Sequence, residues 1–236
     1  RAERALELGL IDPSHYLKAA LSLEPVVDVI RDDDLRMRIA MILVLARRGD
    51  AEAVLLLKHL CRDPEDHVRT HAAQALEGID RRRRDSVRSA QQQTEREPQS
   101  GRAWATLAGA HLSVAQLHDD APVLCDFHLQ QAATALEHAL HQEPRVEWLV
   151  LQAELQQLGR QWGEAETTAR LILEREPLHA QALLLLAGLA FVQGRYEQVR
   201  ESCQRLGTLP ELPEPVLDQV AFWTELVAGR LGGGAV

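Results

Sequence analysis

The chain has little of what most catalytic, secreted or nucleic-acid-binding proteins rely on. Aromatic residues make up 4% of its 236 residues, and β-branched residues are few beside Leu and Ala, so a β-rich fold lacks its usual material. Cysteine occurs three times, as Cys61, Cys125 and Cys203, far apart and odd in number. That fits a reducing, cytoplasmic compartment better than a disulfide framework. Positive charge is in deficit: 26 Lys and Arg stand against 35 Asp and Glu, a formal charge of −9. General nucleic-acid binding needs a basic face to neutralise phosphates and is disfavoured. The longest near-continuous apolar stretch, Ala182 to Val192, falls well short of the ~20 residues of a membrane helix. Gly-rich phosphate loops and a Gly-x-Ser-x-Gly elbow are missing, which leaves catalysis without a motif. An initiator Met is also lacking before Arg1. The expectation is a fragment whose upstream targeting or membrane segments lie outside it.

What is present is helix-forming sequence arranged in repeats. Leu35-Arg36 followed by Ala40 and Leu43 recurs 33 residues later as Val68-Arg69 followed by Ala73 and Leu76. Each copy follows an acidic turn, Asp32-Asp33-Asp34 or Asp63-Pro64-Glu65-Asp66, able to cap the next helix by accepting from its free N–H groups. Between them, Arg47-Arg48-Gly49-Asp50 predicts the end of one helix and the start of another over 51–60, with Val54, Leu57 and Leu60 as its apolar stripe. Residues 1–30 predict one or two further helices, from the start signal Asp12-Pro13-Ser14 and the break at Pro25.

The second half is punctuated by proline after a charged helix end: Glu95-Arg96-Glu97-Pro98, Gln142-Glu143-Pro144 and Glu174-Arg175-Glu176-Pro177. Proline lacks the N–H needed to continue a helix and disfavours helical geometry just before it, so each marks a boundary between units. The spacings are 46 and 33 residues, and the excess in the first places an insertion around His118 to His128. A tail with three prolines between Leu209 and Pro215 predicts irregular chain, then a last amphipathic helix over 216–226 and a frayed Gly232-Gly233-Gly234 end.

These residues carry two resemblances. Asp-Pro-x-x-x-Val-Arg-x-x-Ala-Ala-x-Ala-Leu at Asp63 to Leu76 resembles the HEAT repeat. Trp104, Leu107 and Ala108 after Pro98, then Ala132, Leu136 and Ala139, resemble the two helices of a tetratricopeptide repeat. So do Trp148, Leu151, Gly159-Arg160, Ala165 and Ala169, and Leu183, Leu186 and Ala187 with the turn Gly194-Arg195-Tyr196-Glu197. The fold expected is all-α, a right-handed α-solenoid of helix–turn–helix repeats. It would comprise HEAT-like repeats over 1–80, about three tetratricopeptide repeats over 81–208, the first with an insertion near 115–128, and a capping helix with a flexible end over 209–236. The ~34-residue tetratricopeptide period is met imperfectly, most clearly by the third copy.

The resemblance implies a partner groove lined by the first helix of each hairpin. It would be formed by Arg102, Ala105, Gly109 and Leu112, then Val146, Leu149, Ala153 and Gln156, then Gln181, Leu184, Gly188 and Phe191. Where family members that grip a C-terminal carboxylate carry Lys and Asn, this chain has Ala or Leu and then Gly or Ala. An apolar or helical partner segment fits better, unless the protein's own extra helices fill the groove. Arg81-Arg82-Arg83-Arg84 reads first as a solvated face or partners for nearby acids, and second as a contact to an anionic surface. Cys125-x-x-His128, near His118, Asp119 and Asp120, has zinc-ligand atom types but no second cysteine pair. His67 and His71 lack the Glu of a zincin motif. No cofactor, metal or catalytic residue is assigned.

The run from Arg31 to Gly49, Arg-Asp-Asp-Asp-Leu-Arg-Met-Arg-Ile-Ala-Met-Ile-Leu-Val-Leu-Ala-Arg-Arg-Gly, and the order of repeats after it resemble the soluble region of the PelE family. That family belongs to the bacterial Pel exopolysaccharide machinery. The resemblance implies a non-catalytic scaffold on the cytoplasmic side of the inner membrane, tethered by upstream helices. It would dock with a cyclic-di-GMP receptor subunit and a glycosyltransferase. The alternative is an adaptor or chaperone of another bacterial regulatory or secretion pathway.

Overall fold

A computed structural model describes residues 35–209, 212, 216–217 and 220–225. The helices expected before residue 31, the acidic turn at 32–34 and the terminal glycines lie outside the described residues. Nine helices are named among the described residues: α1 (Leu35–Arg48), α2 (Ala51–Leu60), α3 (Asp66–Arg96), α4 (Gly101–Leu117), α5 (Pro122–Gln142), α6 (Val146–Leu158), α7 (Trp162–Arg175), α8 (Ala180–Val192) and α9 (Tyr196–Leu206). No strand occurs among those residues. The all-α helical-repeat architecture follows. The described residues fall into two compact units, one ending at Pro144 and one beginning at Arg145.

In the first unit α1, α2 and α4 all pack on α3, and α4 pairs with α5 as a hairpin. The break between α1 and α2 forms as its residues dictate. Gly49 takes a left-handed φ of 61°, and Asp50 caps α2 by accepting from the Ala53 N–H at 2.8 Å. Val54, Leu57 and Leu60 are buried, with Ala53 and Leu56 beside them.

The next turn departs from expectation. Glu65 occupies the N-cap of α3 without a side-chain cap bond. Asp63 instead accepts from the Glu65 N–H at 2.9 Å, folding its own turn, and pairs with the Arg38 guanidinium. Arg69 then reaches back to the Asp63 and Pro64 carbonyls, at 2.8 Å each. The Asp63 carboxylate is thus engaged by Arg38 and by its own turn, and the N–H groups that open α3 receive no side-chain cap from Glu65.

The 33-residue repeat is likewise not the core stripe at every position. Ala40 and Ala73 are both exposed, and Leu43 is 56% exposed. The core is made by Ile42 and Leu45 of α1 and by Val68, Ala72 and Ile79 of α3.

In the second unit α6 pairs with α7, α7 with α8, and α8 with α9, each helix lying next to its neighbour in sequence. Ala187, Ala190, Val199, Cys203 and Trp223 form one buried cluster there, so the helical turn at 220–225 covers the last hairpin. Each boundary proline stands two residues past a helix end: Pro98 after Arg96, Pro144 after Gln142 and Pro177 after Arg175.

Candidate interaction site

The arginine quartet lies inside α3, an uninterrupted helix of 31 residues, or about 46 Å at 1.5 Å per residue. A helix presents four consecutive residues to four directions, so the arginines do not share one task. Arg81 pairs with Glu77 at 3.5 Å and Arg84 with Asp80, each one turn back on the same helix. Arg82 and Arg83 turn toward the α1–α2 break: Arg82 donates to the Ala46 carbonyl at 2.5 Å and Arg83 to the Gly49 carbonyl at 2.8 Å. Arg83 also donates to the Ser113 carbonyl of α4, so one half-buried guanidinium ties α3 to α4 and to the α1–α2 break. Its burial pushes its pKa down from the usual arginine value, with Asp80 opposing that shift. Arg81, Arg82 and Arg84 remain exposed.

The inserted segment is mostly helix. A turn at 118–121 leads into α5, whose 21 residues compare with 14 in α7 and 11 in α9, and Pro122 sits in its first turn, where its missing N–H costs nothing. Cys125, His128, Ala132, Ala135, Leu136 and Ala139 form the buried stripe of α5. His128 meets His111 of α4, their Nδ1 atoms 2.9 Å apart and both rings buried. Burial, then the neighbouring His128, pushes His111 down to about 4, and burial lowers His128 as well. His118 bonds to Asp80 of α3 at 3.0 Å. Asp119 and Asp120 pair with Lys58 of α2. The Cys125 thiol is pushed up by burial first and by Asp126 and Asp119 next, the reverse of a reactive or metal-binding cysteine. Among the described residues no three His, Cys, Asp or Glu side chains are placed to hold a metal ion. His71 folds back onto its own helix, its Nδ1 2.8 Å from the His67 carbonyl oxygen.

Of the twelve groove positions, Arg102 and Gln181 are exposed, and Gly109, Val146, Leu184 and Phe191 are half-buried. Ala105, Leu112, Leu149, Ala153, Gln156 and Gly188 are buried. Gln156 accepts from the Thr168 hydroxyl at 2.8 Å and so bonds within the α6–α7 hairpin. Leu184 and Phe191 pack against the cluster that contains Trp223, and Phe191 meets Tyr196 edge-on. In the second unit, part of that lining is therefore occupied by the protein's own helices.

Three features escape a reading of the sequence. His111 shows only as a polar residue in an apolar run, Leu107 to Val114, and its partner lies 17 positions away. Glu166 of α7 receives Arg195 in a two-pronged pair at 2.8 and 3.1 Å and Arg170 at 2.7 Å, which holds its carboxyl below the usual range. Ala121, Pro122, Val123, Leu124 and Phe127 together line an open apolar depression at the start of α5. The hint of it is the apolar run Ala121-Pro122-Val123-Leu124-Cys125 between Asp120 and Asp126.

The chain is thus a helical-repeat protein, a class that builds extended binding surfaces by stacking hairpins. The HEAT repeats family matches residues 2–108, which takes in α1, α2 and α3 and half of α4. No curated protein matches the chain. Such a match supports a role as a protein-interaction scaffold. No described helix is long and apolar enough to cross a membrane.

Proposed function

We propose that the chain is a non-catalytic interaction scaffold of an inner-membrane Pel exopolysaccharide assembly, acting on its cytoplasmic side and docking with the cyclic-di-GMP receptor subunit and the glycosyltransferase. The scaffold part rests on the sequentially packed hairpins together with the HEAT repeats match. The Pel part rests on the run from Arg31 to Gly49 and the order of repeats. In this reading residues 1–80 are HEAT-like, 81–208 are tetratricopeptide repeats with hairpins α4–α5, α6–α7 and α8–α9, and 209–236 cap the array, with α3 straddling the first boundary. The accessible first-helix positions, Arg102 and Gly109 in one unit and Val146 and Gln181 in the other, are the proposed contact residues.

Co-purification of the chain with the receptor subunit and the glycosyltransferase is the test. Retention of either, weakened by Val146→Glu or Gln181→Lys, is the expected result. Recovery of neither removes the Pel assignment and favours the adaptor or chaperone of another pathway. Retention indifferent to both substitutions removes the contact residues alone.

A further inference from the structure

We infer that the first turns of α5 are a docking surface for a basic amphipathic helix of a partner protein. This surface is separate from the first-helix positions above. It rests on the chain's being a binding protein and not on the Pel assignment.

An amphipathic helix needs one apolar stripe, and α5 already has one, running from Cys125 through His128 to Ala139 into the hairpin with α4. Val123 and Phe127 stand one turn apart outside that stripe, 86% and 53% exposed, with Leu124 beside them at 38%. The Phe127 ring lies edge-on to the buried His128 ring, centroids 5.2 Å apart. An aromatic side chain with aliphatic neighbours is what a helix-in-groove contact uses.

The charges around the patch select the occupant. Asp119 and Asp120 precede it, and Asp126, exposed, stands between Leu124 and Phe127 in the chain. Lys58 is the cation at its edge, already shared between Asp119 and Asp120, and Asp126 has no ion-pair partner among the described residues. A partner must therefore carry apolar side chains flanked by Lys or Arg. A second copy of the chain would bring the same carboxylates against these, and an anionic membrane would meet like charge.

Fluorescence anisotropy on the full chain tests this with two labelled helical peptides of about 18 residues, five turns, sharing one Leu face and carrying either Lys or Glu elsewhere. The Lys peptide should bind, and the Glu peptide about tenfold more weakly or less. Val123→Ser, and separately Phe127→Ser, should each weaken the Lys peptide about tenfold while far-UV dichroism stays unchanged. Asp126→Lys should narrow the gap between the peptides. Equal binding of both peptides overturns the proposal, as does indifference to Val123→Ser, which sits too far out of the core to unfold the hairpin. Two other outcomes also overturn it: preference for vesicles of phosphatidylcholine and phosphatidylglycerol, roughly three to one, or sedimentation as a dimer that Val123→Ser dissociates. Each of these leaves the co-purification result untouched, so the two readings fail separately.

Discussion

His111 and His128 face each other across the α4–α5 hairpin with their Nδ1 atoms 2.9 Å apart in the protein interior. At that distance one ring donates a hydrogen to the lone pair of the other, an arrangement that requires both to be neutral or one to be protonated, never both. His118, just past the end of α4, bonds to Asp80 of α3, and the two act on His128 alone: after burial, His118 disfavours a proton on it and Asp80 favours one.

Stability should consequently fall with acidification in a defined window. His111 drops from 6.5 to about 4 in the folded chain, so the unfolded state binds its proton more tightly. The contribution is present in full above 6.5, is lost as pH falls from 6.5 to about 4, and changes no further below that. It amounts to on the order of 3 kcal/mol. Urea unfolding at pH 7, 5.5 and 4.5 checks it: His111→Asn should be less stable at pH 7 yet flatter across the window than the parent chain. Parallel pH profiles for the two would contradict the assignment.

The arginine quartet should divide by position. Arg83→Ala removes charge-assisted bonds to the Gly49 and Ser113 carbonyls and should cost about 1.5–3 kcal/mol. Arg81→Ala, losing one exposed pair with Glu77, should change stability by less than about 0.5 kcal/mol. Arg83→Lys should not restore the parent, because one ammonium cannot reproduce the planar fork that spans two carbonyls. Thermal unfolding of the three variants separates these outcomes.

Two helix starts that look alike in sequence should respond differently. Asp50→Ala removes the bond to the Ala53 N–H and should cost about 1 kcal/mol. Glu65→Ala removes no cap bond and should be close to neutral. Equal losses in urea midpoint would show that the turn at 63–66 caps α3 after all.

The Glu166–Arg195 pair links α7 to the turn before α9. Its removal by Arg195→Ala should cost about 1 kcal/mol, the upper range for a partly exposed pair with two-pronged geometry. Arg195 lowers the Glu166 pKa in the folded chain, so the stabilisation is complete above the ordinary carboxyl value of 4.5 and is lost as pH falls below it. A double-mutant cycle with Glu166→Gln measures the coupling, which should shrink in acid and in high salt.

Much of the architecture is local chemistry and could be read from residue order. Pro98, Pro144 and Pro177 end helices because a missing N–H acts wherever the residue stands, and Gly49-Asp50 divides α1 from α2 because the left-handed turn and the cap need no distant partner. The class of fold followed from such signals. Which residues point inward followed only in part: Val54, Leu57 and Leu60 of α2 are buried as their spacing predicts, but α1 is rotated away from its pattern. Ala40 and Leu43 share the repeat pattern with Ala73 and Leu76, yet the packing of α1 on α3 took Ile42 and Leu45 into the core and left Leu43 in solvent. Among the groove positions, Gln156 bonds to Thr168, and Leu184 and Phe191 are half-buried against the cluster that includes Trp223. Periodicity sets the angle between side chains on one helix, while the rotation of that helix against its neighbours is a property of the assembled hairpins. For the same reason only the tertiary structure could bring His111 to His128, Arg83 to Gly49 and Ser113, and Arg195 to Glu166, since each contact joins residues from separate elements.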